Sequence, residues 1–234
     1  MLQKILDPAA FIEAWQIVVT QFPQAVGDTL YITLVATGVA TVIGLPLGVL
    51  LVVGEPGGVL PLPRWLLRVL DVAINLLRSI PFLILMILVI PLTRAIVGTS
   101  VGTTASIVPL IIAAFPFVAR LMETACRQVD SGLIEAAQSM GATPFQIIWR
   151  VILPEAVPAI ISGITISLTT VLGYSAMSGM VGGGGLGKIA INYGYYRYKY
   201  LVMLLAVVIL VLLVQLFQFL GNYLMRRLDH RENG

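Results

Sequence analysis

The chain has 234 residues, 59% of them hydrophobic and 11% charged, with a mean hydropathy of +0.99; soluble domains carry roughly one-quarter charged residues, so the composition excludes an ordinary water-soluble fold and indicates an all-α integral membrane protein. The net charge of +3 comes from Lys and Arg scattered singly or in pairs. No basic-aromatic face of the kind nucleic-acid binding requires accompanies them, so they read as topology determinants.

Taken in chain order, the N-terminus lacks the basic region, short apolar core and small-residue cleavage site of a removed signal, which predicts a chain retained whole. Residues 1–27 set Glu13 and Pro23 among Phe11, Trp15, Val18, Val19 and Phe22 and read as an interfacial helix. About 20 apolar residues suffice to cross the hydrocarbon core, and five such spans are legible, at 29–53, 72–92, 100–121, 157–180 and 200–225. In the first, Gly38, Gly44 and Gly48 are spaced to let helices approach closely. The second contains Arg78 and is bent by Pro81 and Pro91; an arginine there is costly unless it snorkels to the interface or serves a function. The single cysteine, Cys126, rules out an internal disulfide and a Cys-based metal site and reads as a small apolar filler.

An odd number of spans puts the termini on opposite sides. With the C-terminus inside, the inner face takes nine basic residues (Arg64, Arg68, Arg78, Arg120, Arg127, Arg150, Arg226, Arg227 and Arg231) against five outside (Lys4, Arg94, Lys188, Arg197 and Lys199). Cytoplasmic loops carry the excess, so the N-terminus is expected outside, the C-terminus in the cytoplasm, and the polar segment 130–154 at the cytoplasmic face.

That segment has the marks of a helix, a turn and a second short helix. Ser131 is placed to cap the first helix, Gly141 to end it in a left-handed conformation, and Thr143-Pro144 to supply N-cap and N1 of the next. Leu133, Ala136, Ala137 and Met140 recur at i, i+3, i+4 and i+7, with Glu135 and Gln138 off that face. Periodicity leaves two readings open, an amphipathic re-entry into the lipid interface or a helix that docks in a partner's groove.

Gly182 to Lys188 matches G-x-x-x-x-G-K, and Gly182, Gly184 and Gly187 satisfy G-x-G-x-x-G. A phosphate-binding loop needs a hydroxyl after the lysine, where this chain has Ile189, and a preceding strand, where it has a membrane span. The glycines read as permitting a tight turn and close backbone packing at the outer mouth of a pore. No nucleophile triad or paired carboxylates occur in the spans and the only histidine, His230, lies in the polar tail; no catalytic or metal site is expected. A secondary transporter or channel would call for inverted repeats or ionisable residues inside the spans; no convincing repeat is visible and spans one, three, four and five hold no acid. A non-transporting scaffold is the other rival.

Glu135-Ala136-Ala137, three residues, Gly141, nine residues, then Val151-x-Leu153-Pro154 resembles the EAA loop of membrane subunits of ATP-binding-cassette importers, where isoleucine is usual in place of Val151. Arg78 to Phe82, Ile96 to Ser100, Ala114 to Phe117, Leu133 to Pro144, Tyr174 to Met177 and Gly184 to Gly187 resemble the methionine-uptake permease family. The resemblance implies a type I importer permease: five transmembrane helices and a cytoplasmic coupling loop made by Glu135, Ala136, Ala137, Met140, Gly141, Ala142, Thr143, Pro144, Leu153 and Pro154. It also implies a homodimer in the bacterial inner membrane and its lipid, two ATPase subunits holding ATP and magnesium with no cofactor on this chain, and an external methionine-binding protein, a lipoprotein. Tyr174, Ser175 and Met177 are implied as a translocation gate, the flexible thioether sealing against its dimer mate.

Overall fold

The computed structural model describes residues 8–228. Residues 1–7 of the segment read as interfacial, with Lys4, and the tail carrying His230 and Arg231 lie outside the described residues.

Helix α1 runs unbroken from Pro8 to Val53. The segment 8–27, read above as a separate interfacial helix, is therefore continuous with the first span; its apolar residues keep helical spacing. The helix stops at Gly54-Glu55-Pro56 because the residue before a proline is pushed out of the helical region. A turn follows in which the Leu60 and Leu62 amides donate to the Val53 and Gly54 carbonyls, both at 2.9 Å.

The segment 72–92 is not one helix. Helix α2 covers Arg64–Ser79 and α3 covers Phe82–Leu88, separated by Ile80, which is extended (φ −79°, ψ 124°) because Pro81 follows it. Arg64, Arg68, Asp71, Asn75 and Arg78 make a polar stripe along α2; Ile74 is buried, and Trp65, Val69, Val72 and Leu76 form an exposed apolar stripe. Such a three-faced helix suits the water-lipid boundary. Arg78 is exposed in its last turn, where a cation complements the helix dipole.

Helix α4 (Ile90–Val97) ends on Gly98 at φ 81°, and α5 spans Thr103–Arg127. Then come α6 (Ser131–Ser139), α7 (Pro144–Ile147), a π-helical turn Ile148–Ile152 and α8 (Leu153–Ser178). After a 3-10 turn, Gly179–Val181, come α9 (Gly185–Ile189), a second π turn, Ala190–Tyr195, and α10 (Tyr200–Leu228). Among the described residues four helical stretches are long and apolar enough to cross a membrane, or five if α2 and α3 count as one broken span.

The chain divides into two compact units. The first takes residues up to Ala36, Pro81–Ile112 and Leu168–Phe217; its core gathers Phe22, Leu172, Leu186, Val202 and Phe217. In it the Leu186 amide donates to the buried Thr29 hydroxyl at 2.9 Å, tying the glycine run to α1. A Cβ on Gly185, whose φ is +79°, would lie 2.5 Å from that hydroxyl. The glycines thus serve backbone packing, the role read from the sequence.

The second unit takes Thr37–Ile80, Ala113–Ser167 and the chain from Gln218. One cluster joins Val49, Val53, Cys126, Ile147 and Ile152, a second Leu51, Ile74 and Ala119. Here α1 presses on α5: a Cβ on Gly44 would sit 2.9 Å from the Ala119 amide nitrogen, and one on Gly48 2.6 Å from the Ala119 carbonyl oxygen. Gly38, grouped with them above, has open space instead.

Candidate functional site

Within the second unit, α6 and α7 meet at a tightly capped corner. The N-cap of α6 is Asp130, one residue earlier than the Ser131 expected: Asp130 is extended, and its Oδ1 accepts from the Gly132 amide at 2.6 Å. The carboxylate also sits at the positive end of the helix dipole. At the other end Met140 is the C-cap and Gly141 follows at φ 77°. The Ala142 amide donates to the Ala137 carbonyl (3.1 Å) and the Gly141 amide to the Gln138 carbonyl (2.9 Å). This is the paired closure of a Schellman motif. Thr143 then opens α7 with a capping box: its Oγ1 accepts from the Gln146 amide, and its own amide donates to Gln146 Oε1 at 2.9 Å. Only Gly141 and Ala142 separate the two capped ends.

Leu153 and Pro154 fall inside the long helical run, not in a loop. The π turn Ile148–Ile152 leads into α8 without a break. Pro154 has no N–H for the Arg150 carbonyl and its ring would crowd it; widening the preceding turn relieves that clash.

The corner divides its side chains. Ala137 is buried in the second unit's core and Ile134 packs partly against it. Leu133, Ala136 and Met140 lie exposed on an adjacent face, Met140 by 81%, with Glu135 exposed beside them. The spacing of Leu133, Ala136, Ala137 and Met140 predicts one apolar face; the structure turns Ala137 inward and leaves the other three exposed. It adds a pair the sequence reading passed over, Phe145 and Trp149, 69% and 58% exposed with ring centroids 6.0 Å apart. Their i, i+4 spacing just after Thr143-Pro144 was the available signal.

The same unit holds a chain of ion pairs. Arg127 bridges Glu55 (2.7 Å) and Glu123 (2.7 Å), and Arg120 bridges Glu123 (2.6 Å) and Asp71, with Asn75 Oδ1 at 3.0 Å. This network braces the 54–63 turn and α2 against the end of α5, three residues before the Asp130 cap. The Arg127 guanidinium, donating to Glu55, holds that carboxyl below its ordinary value.

In the first unit, Tyr174 stacks on Phe82 with centroids 4.5 Å apart and an interplanar angle of 4°. Met177 and Met180 are exposed. Ser175 is buried and donates to the Leu172 carbonyl at 2.7 Å, so its hydroxyl is engaged within its own helix. Of the three residues implied as a gate, the structure sets Met177 at the surface and packs Tyr174 and Ser175. Among the described residues no group of three or more His, Cys, Asp or Glu is arranged to hold a metal.

Comparison with known proteins agrees with this architecture. Residues 40–231 match the family described as binding-protein-dependent transport system inner membrane component. The chain is 54% identical over 208 residues to a probable D-methionine transport system permease protein of Vibrio cholerae, covering 88% of this chain and 92% of the relative. It is 49% identical over 156 residues to the D-methionine transport system permease protein of Escherichia coli K12, covering 67% and 71%. A solved inward-facing conformation of the MetNI methionine ABC transporter superposes with a TM-score of 0.87 at 48% identity, covering 89% of this chain and 96% of that one. An amino acid ABC transporter crystallised with histidines shares the fold, with a TM-score of 0.76 at 20% identity.

Proposed function

Because this chain belongs to the family of binding-protein-dependent transport system inner membrane components, we propose that it is the permease subunit of an ATP-driven importer that carries methionine, L- and D-, into the cytoplasm. Two copies form the pathway. Two cassette ATPase subunits, with their ATP and magnesium, dock on the α6–α7 corner from the cytoplasm, and an external binding protein, a lipoprotein, delivers methionine. The N-terminus lies outside and the C-terminus inside.

The observation that carries this reading is the corner itself. Its exposed Leu133, Ala136, Met140, Phe145 and Trp149 suit an apolar groove, and Glu135 offers a charge at the edge. Two reciprocally capped ends with two residues between them leave little slack, so a displacement of α6 passes to α7 and the helical run that continues through α8 to Met177. ATP binding draws the ATPase subunits together, the corners follow, and the cavity opens outward; hydrolysis reverses the change, as alternating access requires. Met177 and Met180, unbranched and exposed, are suited to seal against the second copy. The chain performs no bond chemistry in this scheme. Membership of a binding-protein-dependent family argues against the ATP-independent channel.

The test is reconstitution into proteoliposomes with the cognate ATPase and binding protein. Wild type takes up labelled methionine only with ATP, whereas Met140→Glu combined with Phe145→Asp loses ATPase copurification by about tenfold or more, as loss of a central anchor does. Absence of methionine uptake in wild type, or uptake and copurification untouched in the variant, overturns the reading.

A further inference from the structure

The first unit contains a cleft of about 360 Å³ between α1 and the chain from Gly185 to Arg197. Two cross-links frame it. At one end the Leu186 amide donates to Thr29 Oγ1 at 2.9 Å; at the other Gln21 Nε2 donates to the Tyr193 hydroxyl at 2.6 Å. Beyond the second, Lys199 pairs with Glu13 at 2.5 Å, and the Arg197 guanidinium lies over the Tyr193 ring, 4.8 Å from its centroid. The wall opposite α1 is built from a π turn, Ala190–Tyr195, and ends near Tyr198, which holds a positive φ of 56° that only glycine adopts without strain. π turns and left-handed non-glycine residues are frequent at functional sites, and Tyr198 lies one residue beyond Arg197, the last residue lining the cleft.

Three charged residues line the cleft: Arg197, whose guanidinium is taken up over the Tyr193 ring, and, on opposite walls, one acid and one lysine. Asp28, half-buried, projects from α1, and Lys188, exposed, from α9. Among the described residues neither is joined in any of the ion pairs or hydrogen bonds that hold the surrounding side chains. Gln24 and Asn192 add amide donors and acceptors, and buried Ile189 an apolar contact. A carboxylate and an ammonium that share one small cleft without neutralising each other are complementary to a ligand bearing both charges. The volume lies at the small end of the roughly 300–1,000 Å³ range of ligand sites.

We propose that this cleft is a binding site for the zwitterionic head of a free α-amino acid, the ligand carboxylate taken by Lys188 and its ammonium by Asp28. The inference rests on the import reading and topology above, which set the cleft on the external face; there it holds the cargo on the permease before it enters the pathway. The side chain of the ligand is left facing the open mouth, so the site recognises the class of molecule and leaves discrimination among side chains to other parts of the system.

Binding is measured on the intact permease–ATPase complex in lipid nanodiscs without the binding protein, using labelled L-methionine displaced by methioninol, which lacks the carboxylate, and by the 2-hydroxy analogue, which lacks the ammonium. Wild type is expected to bind methionine saturably and each analogue about tenfold or more weakly, the loss expected for one charge-assisted contact. Lys188→Gln removes the preference over methioninol alone, and Asp28→Asn the preference over the hydroxy acid alone. The conservative Lys188→Arg and Asp28→Glu restore each preference in part, a pattern no general misfolding produces. Absence of saturable binding, or unaltered preferences in both variants, overturns the proposal. So does methionine binding that survives in variants that lose only stimulation by the binding protein, which makes the cleft a protein contact. Uptake by wild-type proteoliposomes is scored separately: if it is normal while the charge-specific pattern is absent, the cleft inference alone falls; if uptake fails while the pattern holds, the import reading falls and the cleft stands.

Discussion

Glu123→Gln tests whether the ion-pair chain holds the second unit together. Glu123 accepts from Arg120 at 2.6 Å and from Arg127 at 2.7 Å, and its side chain is only 11% exposed. Glutamine preserves the shape and one acceptor but removes the charge that separates two guanidiniums. The Arg120 pair is shielded, that arginine being 19% exposed, and counts as a hydrogen bond to a charged group, about 1.5–3 kcal/mol. The Arg127 side chain is 45% exposed, so its pair falls in the range for solvated bridges, about 0.2–1 kcal/mol. The two together predict a loss of about 2–4 kcal/mol. Glu55→Gln supplies the internal standard, because the Glu55–Arg127 pair is 45% exposed on both sides and should cost about 0.2–1 kcal/mol. The assay is detergent unfolding in mixed micelles, followed by tryptophan fluorescence from Trp65 and Trp149. If the two variants agree to within about 0.5 kcal/mol, burial does not set the strength of this network and the reasoning fails.

Gly48→Val should destabilise by about 1–3 kcal/mol or more, since its Cβ would meet the Ala119 carbonyl at 2.6 Å and the Glu123 amide at 2.7 Å, backbone atoms that cannot rotate away; Gly38→Ala, in open space, should be neutral or stabilising on the same unfolding curve. Gly141→Val should strain the left-handed C-cap turn by about 1–2 kcal/mol and separate ATP hydrolysis from uptake in proteoliposomes, with Gly141→Asn retaining most of the coupling. Glu55 has its carboxyl lowered from 4.5 by hydrogen bonds from Arg127, so its stabilisation is complete above that value and lost as pH falls through the lower folded-state value; the gap between wild type and Glu55→Gln should be constant from about pH 7 to about pH 5 and close in more acidic micelles. With Cys126 replaced by alanine, a cysteine at exposed Tyr196 should react with an impermeant reagent in intact cells and one at exposed Gln138 should not; the reverse pattern inverts the topology.

What the sequence determined by itself was whatever depends on neighbouring residues. Hydropathy is a sum over a window, so the charge-free runs within α1, α5, α8 and α10 were legible as spans. Caps are local hydrogen-bond chemistry, so Gly141 and the Thr143-Pro144 start were legible too, and the EAA spacing carried the family. Local signals also misled: Pro81 and Pro154 look alike in sequence, yet one splits α2 from α3 and the other sits inside a continuous run, because a π turn precedes it. Asp130 and Ser131 are both good caps, and only the backbone angle chose between them. Tertiary structure alone decided the rest. Arg120 meets Asp71 across 49 residues and Arg127 meets Glu55 across 72, Gln21 meets Tyr193 across 172, and a Cβ on Gly48 would collide with α5 where one on Gly38 would have open space. Which face of α6 is buried was settled in the same way, by the core that receives Ala137. Contacts of this kind depend on how helices pack in three dimensions, and a residue's sequence neighbourhood holds no record of which helix lies opposite it.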